Sequence, residues 1–125
     1  MTACRPLGVA LAAAASIVGL SGAVGAEPFR RLPGRDLAVR LPGMELTDDV
    51  HWAYGFERGG RLRSVSMGTL RTGTWRVRGD DLCLDGGPDG ARCFQVWAAG
   101  AAIELRRDDG TLPDAGILRK PLARR

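Results

Sequence analysis

His51 is the residue of this sequence best suited to catalysis, because it is the single histidine and an imidazole titrates near neutral pH. A Ser-His-Asp triad would need Ser64 or Ser66 as its nucleophile, and neither serine lies in a nucleophile-elbow sequence. By alternation, His51 lies on the face of a strand opposite Trp52, where a lone histidine is usually a solvated side chain. We therefore expect no catalytic residue and a protein that is not an enzyme.

Paired aspartates are the second group with potential chemistry, since carboxylates bind calcium. The pairs Asp48-Asp49, Asp80-Asp81 and Asp108-Asp109 each lie beside a predicted turn, where Asp bonds to nearby backbone amides. A calcium site could be drawn from Asp85 and Asp89, but their spacing matches no EF-hand loop and no bidentate Glu follows. We expect no metal site and no cofactor.

The two cysteines of the C-terminal half flank a glycine-rich segment that must be a loop. Folding a hairpin about Pro88 sets Cys83 opposite Cys93 and Leu82 opposite Phe94. The sulfurs then meet on one face while the apolar pair enters the core. A disulfide is the favoured interpretation. The alternative, a two-thiolate metal site, would need two further ligands.

Residues 1–26 have the order of a secretory signal peptide. Arg5 precedes an uncharged apolar run, and Val24-Gly25-Ala26 suits signal peptidase, so we expect cleavage after Ala26, with Ala23 as the alternative. An uncleaved anchor is the competing interpretation, because the run approaches the ~20 residues that span a bilayer. Cleavage removes Cys4 and leaves an even pair of cysteines, as in exported proteins. We expect a periplasmic or secreted protein without a transmembrane segment.

Arginine carries almost all of the positive charge. The chain has 18 basic side chains, and removal of the signal peptide takes away Arg5. The remaining 17 basic and 14 acidic side chains give the mature protein a net charge of +3. Nucleic acid is not an expected partner of a mildly basic exported chain. Outward-facing arginines on two neighbouring strands are a candidate stripe for anionic surfaces such as phospholipid headgroups or acidic glycans, and a solvated face is the alternative. The stripe comprises Arg61, Arg63, Arg71, Arg76 and Arg78.

Most aromatic side chains are needed to build the core of a small domain, although they could also line a ligand cavity. Trp97 differs from them. By alternation it points away from Phe94 and Val96, onto the face of the disulfide. It is therefore expected either to cap the cystine or to form an exposed contact.

Residues 27–125 have the periodicity of one small β domain. A short helix is expected between Pro33 and Pro42, and the alternation of Val50, Trp52, Tyr54 and Phe56 marks the first strand. Further strands are expected within 62–67, 73–78, 82–84, 93–96, 101–106 and 116–119. Segments 27–33 and 121–125 are expected to be loosely ordered. Six or seven short strands at hairpin spacing predict an all-β fold, a small antiparallel meander or barrel with one short N-terminal helix.

Several motifs resemble the pattern of short exported proteobacterial proteins of unknown function. They are Gly73-Thr74-Trp75, Leu82-Cys83, Cys93, Gly100 to Leu105 and Gly116 to Leu118. The resemblance covers most of residues 37–119 and implies a lipocalin-like β-meander preceded by a short helix. It transfers no catalytic residue. Residues 73–80 are also similar to a stretch in periplasmic inhibitors of secreted metalloproteases, small β-barrels whose first half-cystine precedes the Trp.

The expected function is that of a non-catalytic exported module that binds another envelope protein or an anionic surface. One alternative is a carrier or sensor that holds a small apolar ligand inside the barrel, and another is a periplasmic protease inhibitor. The packing of the barrel interior distinguishes the carrier from the other two functions. Tight packing of Trp52, Phe56, Trp75 and Phe94 would leave no room for a ligand.

Overall fold

The computed structural model describes residues 2–4, 8–16, 27–87 and 90–122. Its described residues before Glu27 are exposed and lie in no helix or strand, and Cys4 is an exposed free cysteine. The expected cleavage site at Val24-Gly25-Ala26 lies outside the described residues, so the signal peptide stays a prediction. Within the described ranges, no helix has the length and apolar character needed to cross a membrane.

The described part of the chain contains one short helix, α1, and nine β-strands. Their bounds in chain order are β1 Arg30–Arg31, α1 Gly34–Arg40, β2 Met44–Thr47, β3 Trp52–Phe56, β4 Arg61–Ser66, β5 Thr69–Arg78, β6 Asp81–Gly87, β7 Gly90–Ala99, β8 Ala102–Arg106 and β9 Asp114–Arg119.

Strands β2 to β9 form an up-and-down antiparallel barrel, in which each strand pairs with the next one along the chain. The barrel closes where β9 pairs with β2, with Leu118 opposite Leu46. Strand β1 pairs with β7 beyond the end of β6, with Arg30 opposite Ala98. This architecture confirms the predicted all-β barrel with one short helix, and it has more strands than the six or seven expected.

Helix α1 covers the end of the barrel at which β5 ends and β6 begins. Its Leu37 side chain and the following Leu41 are 0% and 2% exposed and belong to the core. At its start, the Gly34 amide donates a hydrogen bond of 2.8 Å to Asp80 Oδ1. A Cβ on Gly34 would overlap the carbonyl oxygen of Gly79, so only glycine allows this close contact. We call this the closed end and the opposite one the open end.

The closed half of the barrel is filled by apolar side chains from the inner faces of the strands. Phe56 and Trp75 pack edge to face with ring centroids 5.5 Å apart. The indole nitrogen of Trp75 donates a hydrogen bond of 2.8 Å to the carbonyl of Glu57, which satisfies its one polar group. Leu82 and Phe94, which lie opposite each other, are also buried. The polar side chains that face the interior therefore lie in the open half.

The disulfide between Cys83 and Cys93 is confirmed, with the two Cα atoms 4.0 Å apart. The two residues lie directly opposite each other in the β6–β7 pair, as the hairpin folded about Pro88 predicted, although Pro88 itself lies outside the described residues. Both thiols are consumed by this bond. The alternative of a two-thiolate metal site is therefore excluded.

Two expectations about the N-terminal half were wrong, and one strand there was not expected. Residues 27–33 are not a loose tail, because β1 pairs with β7 and Leu32 is buried. Met44 to Thr47 form β2, which is too short to show a clear period between a Pro-Gly turn and an Asp pair. Val50 is 77% exposed in the loop before β3 instead of continuing the inner face of that strand.

Candidate ligand site at the open end of the barrel

A row of inward-facing residues crosses four neighbouring strands in the open half of the barrel. Leu46 on β2 lies opposite Tyr54 on β3, Tyr54 lies opposite Ser64 on β4, and Ser64 lies opposite Arg71 on β5. Directly paired residues of an antiparallel sheet point to the same face. Since Leu46 and Ser64 are each 1% exposed, this face is the interior of the barrel.

Ser64 is the polar centre of this row. Its hydroxyl oxygen is buried and has no hydrogen-bond partner among the described residues. A hydroxyl can donate one hydrogen bond and accept two, and a buried one without a partner destabilises the fold. An unpartnered buried hydroxyl calls for a specific explanation, such as a role in binding a ligand.

Two aromatic rings stand beside Ser64. Trp52 and Tyr54 alternate on the inner face of β3, and their ring centroids lie 5.2 Å apart with an angle of 43° between the planes. The Trp52 ring occupies the space that a side chain at position 116 would take. A Cβ on Gly116 would come within 2.9 Å of Trp52 Cη2. Gly116 on β9 therefore makes room for an aromatic wall on one side of the open half.

The environment of Tyr54 keeps its phenol neutral. Burial raises the pKa of Tyr54, the negative charge of Asp114 raises it further, and the positive charge of Arg92 opposes the increase. Asp114 and Arg92 face the same interior, since they lie opposite Leu105 and Leu84. A neutral phenol both donates and accepts hydrogen bonds. Tyr54 and Ser64 are thus two neighbouring hydroxyls on an inner face that carries charged as well as apolar side chains.

The rim of the open end carries exposed apolar side chains on three separate loops. Val50, Met67 and Leu112 are 77%, 77% and 90% exposed. Met67 adopts a left-handed backbone conformation with φ of 49°, which is costly for a residue with a Cβ. Apolar side chains at the entrance suit the passage of an apolar ligand.

The sequence had suggested that His51 lies within a strand. In the structure it lies in the loop before β3, on this rim. Its Nδ1 lies 2.8 Å from Asp48 Oδ2. Although burial raises the pKa of Asp48, hydrogen bonds from the amides of Trp52, His51 and Val50 and from the His51 ring hold that pKa well below its ordinary value. Among the described residues, no hydrogen bond joins the His51 ring to a serine. The pair organises the β2–β3 loop, since three successive amides converge on one carboxylate.

Four of the five arginines of the expected stripe lie on the outer face of β4 and β5. Arg61 and Arg63 flank the inward-facing Leu62 on β4, and Arg76 and Arg78 alternate with the inward-facing Trp75 and Val77 on β5. Arg71 does not belong with them. It lies opposite Ser64 and therefore points toward the open end of the barrel interior, which corrects its expected outward position.

Trp97 lies on the outer face of β7, as alternation predicted. The guanidinium carbon of Arg106 is 4.2 Å from the centre of the Trp97 ring, a stacking distance for a cation on an aromatic face. Its indole nitrogen donates to Gln95 Oε1 at 3.2 Å, and Glu104 holds Arg106 through an ion pair of 2.7 Å. Trp97 is half-buried under these polar neighbours. A contact role for it stays a prediction.

Sequence reasoning missed the polar members of the open half. Ser64, Arg92 and Asp114 were not proposed as ligand-binding residues, and Tyr54 was named only as one of the aromatic residues that build the core or could line a cavity. The signal was present for Ser64, because it alternates with Leu62 on the apolar side of β4.

For metal binding, the described ranges contain no group of three or more His, Cys, Asp or Glu side chains placed to hold an ion.

Comparison with known proteins identifies the fold family. A search of the curated proteins found no match, and a search of the solved structures found none either. A family model described as lipocalin-like matches residues 44–116, which run from the start of β2 into β9 and cover more than half of the 125-residue chain. By this match and by its barrel, the chain belongs to the lipocalin-like family.

Proposed function

We propose that this protein is an exported, non-catalytic binding protein that holds a small molecule in the open half of its barrel. Lipocalin-like proteins are generally binding proteins and not enzymes. The observation that carries the proposal is the Ser64 hydroxyl, which is 1% exposed and has no partner within the described residues. Because the ligand-free fold leaves this hydroxyl without access to solvent, a ligand with one hydrogen-bonding group would satisfy it once the side chains around it move apart.

The chemistry of the walls indicates which ligand fits. Leu46 and the rings of Trp52 and Tyr54 offer apolar and aromatic contacts. Ser64 and the neutral Tyr54 phenol can each donate or accept a hydrogen bond. We infer a small molecule with an apolar body and a hydroxyl or carbonyl group. The charged side chains of Arg71, Arg92 and Asp114 share the inner face with these residues. The closed half, filled by Phe56 and Trp75, excludes a ligand that needs the full length of the barrel.

Export is supported by two features. Residues 1–26 have the composition of a signal peptide, and the bond between Cys83 and Cys93 is of a kind that forms and persists in oxidising compartments. A carrier in the periplasm or the medium would meet its ligand there.

Native mass spectrometry of protein recovered from the envelope fraction of its producer tests the proposal. The wild-type protein is expected to carry a small adduct that is lost on denaturation, and its denatured mass is expected to start at Glu27. Occupancy should fall in the single-group variants Ser64→Ala and Tyr54→Phe, which remove one hydroxyl each without adding bulk. Arg76→Ser on the outer face is the matched control and should retain the adduct. A bare wild-type protein, or equal occupancy in all variants, contradicts the proposal.

A second candidate function is binding to an anionic surface through the outer arginines. Arg76 and Arg78 are exposed, and neither has an ion pair within the described ranges. Replacement of both by Ser should abolish cosedimentation with vesicles that contain anionic lipid and leave the melting temperature unchanged. Unchanged cosedimentation would rule out this face.

The protease-inhibitor hypothesis is tested by a different measurement, an inhibition assay. Its similarity lies in residues 73–80, which include the buried Trp75 and the exposed Arg76 and Arg78. Stoichiometric inhibition of a secreted metalloprotease by the mature protein would support it, and full protease activity at a molar excess of the protein would refute it.

A further inference from the structure

We propose a second ligand site on the outside of the barrel, a groove across β2, β3 and β4 that binds a small amphipathic anion with its acidic group on Arg63. This outer groove is separate from the interior, because its floor consists of residues that alternate with the inward-facing Tyr54 and Ser64. The proposal is therefore independent of ligand binding inside the barrel.

The outer groove has a volume of about 300 Å³. Ala53, Gly55 and Val65 form its floor, and Pro121 and Leu122, which follow β9, form one wall. Ligand sites for small molecules in proteins begin at about this volume and are mostly apolar with a few polar groups. The outer groove therefore suits a short apolar body of the size of a medium-chain acid.

Gly55 at the centre of the floor has no structural explanation within the fold. Its φ is not positive, so the backbone does not require glycine. A Cβ at this position would lie 3.4 Å from Arg63 Cβ and 3.8 Å from the Arg63 carbonyl oxygen, which is ordinary packing. Glycine is unfavourable in the interior of a strand and often marks a place where a ligand approaches closely. Here it keeps the outer groove open.

Ion pairs within the described residues involve most of the charged side chains that line the outer groove. Glu45 lies 3.4 Å from Arg119, and Glu57 lies 3.6 Å from Arg61, so both acidic side chains of the lining have arginine partners. Arg119 also contacts Asp49 at 2.6 Å. Within the described residues Arg63 is the charged lining group for which no ion pair is formed. A guanidinium beside an apolar floor favours a carboxylate, which it can bind through two parallel hydrogen bonds.

Nuclear magnetic resonance with sodium octanoate as the probe tests this site on the mature protein. Octanoate should shift the backbone amide signals of Ala53, Gly55 and Val65 in a saturable way. Arg63→Gln should weaken binding at least tenfold, whereas the matched control Arg76→Gln should not change it. Octanol, which has the same apolar body without the charge, should bind at least tenfold more weakly than octanoate.

Filling the floor provides a second, steric test. Gly55→Val and Ala53→Val should each abolish the octanoate shifts, and their melting temperatures should equal or exceed that of the wild type, because Val favours a strand. Ser64→Ala should leave octanoate binding unchanged. The inference is overturned if no saturable shift occurs in this region, if Arg63→Gln or both floor variants bind octanoate normally, or if Ser64→Ala removes the shifts and so places octanoate inside the barrel.

Discussion

Replacing Ser64 with Ala should make the ligand-free protein more stable, which is the reverse of the usual effect of a substitution in a core. The Ser64 hydroxyl is 1% exposed and has no partner within the described residues, so the fold bears the cost of its lost hydration. An unsatisfied buried polar group costs about 1–3 kcal/mol. The small void left by one oxygen atom offsets part of that gain, and we expect a net increase of about 1–2 kcal/mol in the free energy of unfolding.

Urea unfolding followed by tryptophan fluorescence measures this difference. In a domain of roughly 100 residues, each kcal/mol also raises the melting temperature by about 4–8 °C. The midpoint should rise in Ser64→Ala with no change in the slope of the transition. Ser66→Ala, one step nearer the rim and partly exposed, is the control and should change stability by less than about 0.5 kcal/mol. A Ser64→Ala protein that is less stable than wild type would show that the hydroxyl is already hydrogen-bonded and would refute the reasoning.

Three further predictions concern the elements that frame the barrel. Replacing Cys83 and Cys93 by Ser should lower the free energy of unfolding by about 2.7 kcal/mol, the loop-closure value for a sequence separation of 10, as measured by urea titration. Gly34→Ala should destabilise by about 1 kcal/mol in the same assay, because overlap with the Gly79 carbonyl outweighs the better helix propensity of Ala. Asp48→Asn should destabilise at pH 7, since the lowered pKa of Asp48 means that its charged form stabilises the fold. That contribution is fully present above the ordinary carboxyl pKa of about 3.9, so the difference from wild type should narrow as the pH falls below that value.

Each of these predictions has its own control or contrary result. Equal stability of the oxidised wild type and the double serine variant would show that the disulfide adds nothing to the paired hairpin. Val39→Ala, at an exposed position of α1, is the control for Gly34→Ala and should have a small effect. A difference between wild type and Asp48→Asn that stays constant from pH 7 to pH 2 would contradict the assigned role of the Asp48 charge.

Local patterns in the sequence were sufficient for most of the strands. Alternation of apolar residues and clusters of Gly, Asp and Pro depend on neighbours within a few positions, and they predicted the helix α1 and seven of the strands. The short strands β1 and β2 carry too few residues to show a period. They form because β7 and β9 provide backbone groups for them to pair with, and these groups are brought into position only when the barrel folds.

The position of Arg71 shows the same limit at the level of one side chain. Alternation shows which residues of a strand share a face, but it does not show which face points out of the barrel. Pairing with Ser64 in the β4–β5 register places Arg71 on the inner face. A shift of one residue would reverse that face, so register decides which residues can meet a ligand.

The sequence by itself determined the hairpin of Cys83 and Cys93 and the alternation of the strands, because turn chemistry and period-two patterns act over short distances along the chain. Only the tertiary structure decided that β9 closes onto β2 and that the buried hydroxyl of Ser64 finds no partner among the described residues. Both depend on the register between strands distant in sequence, where burial and shape are set by the whole barrel and not by any single segment.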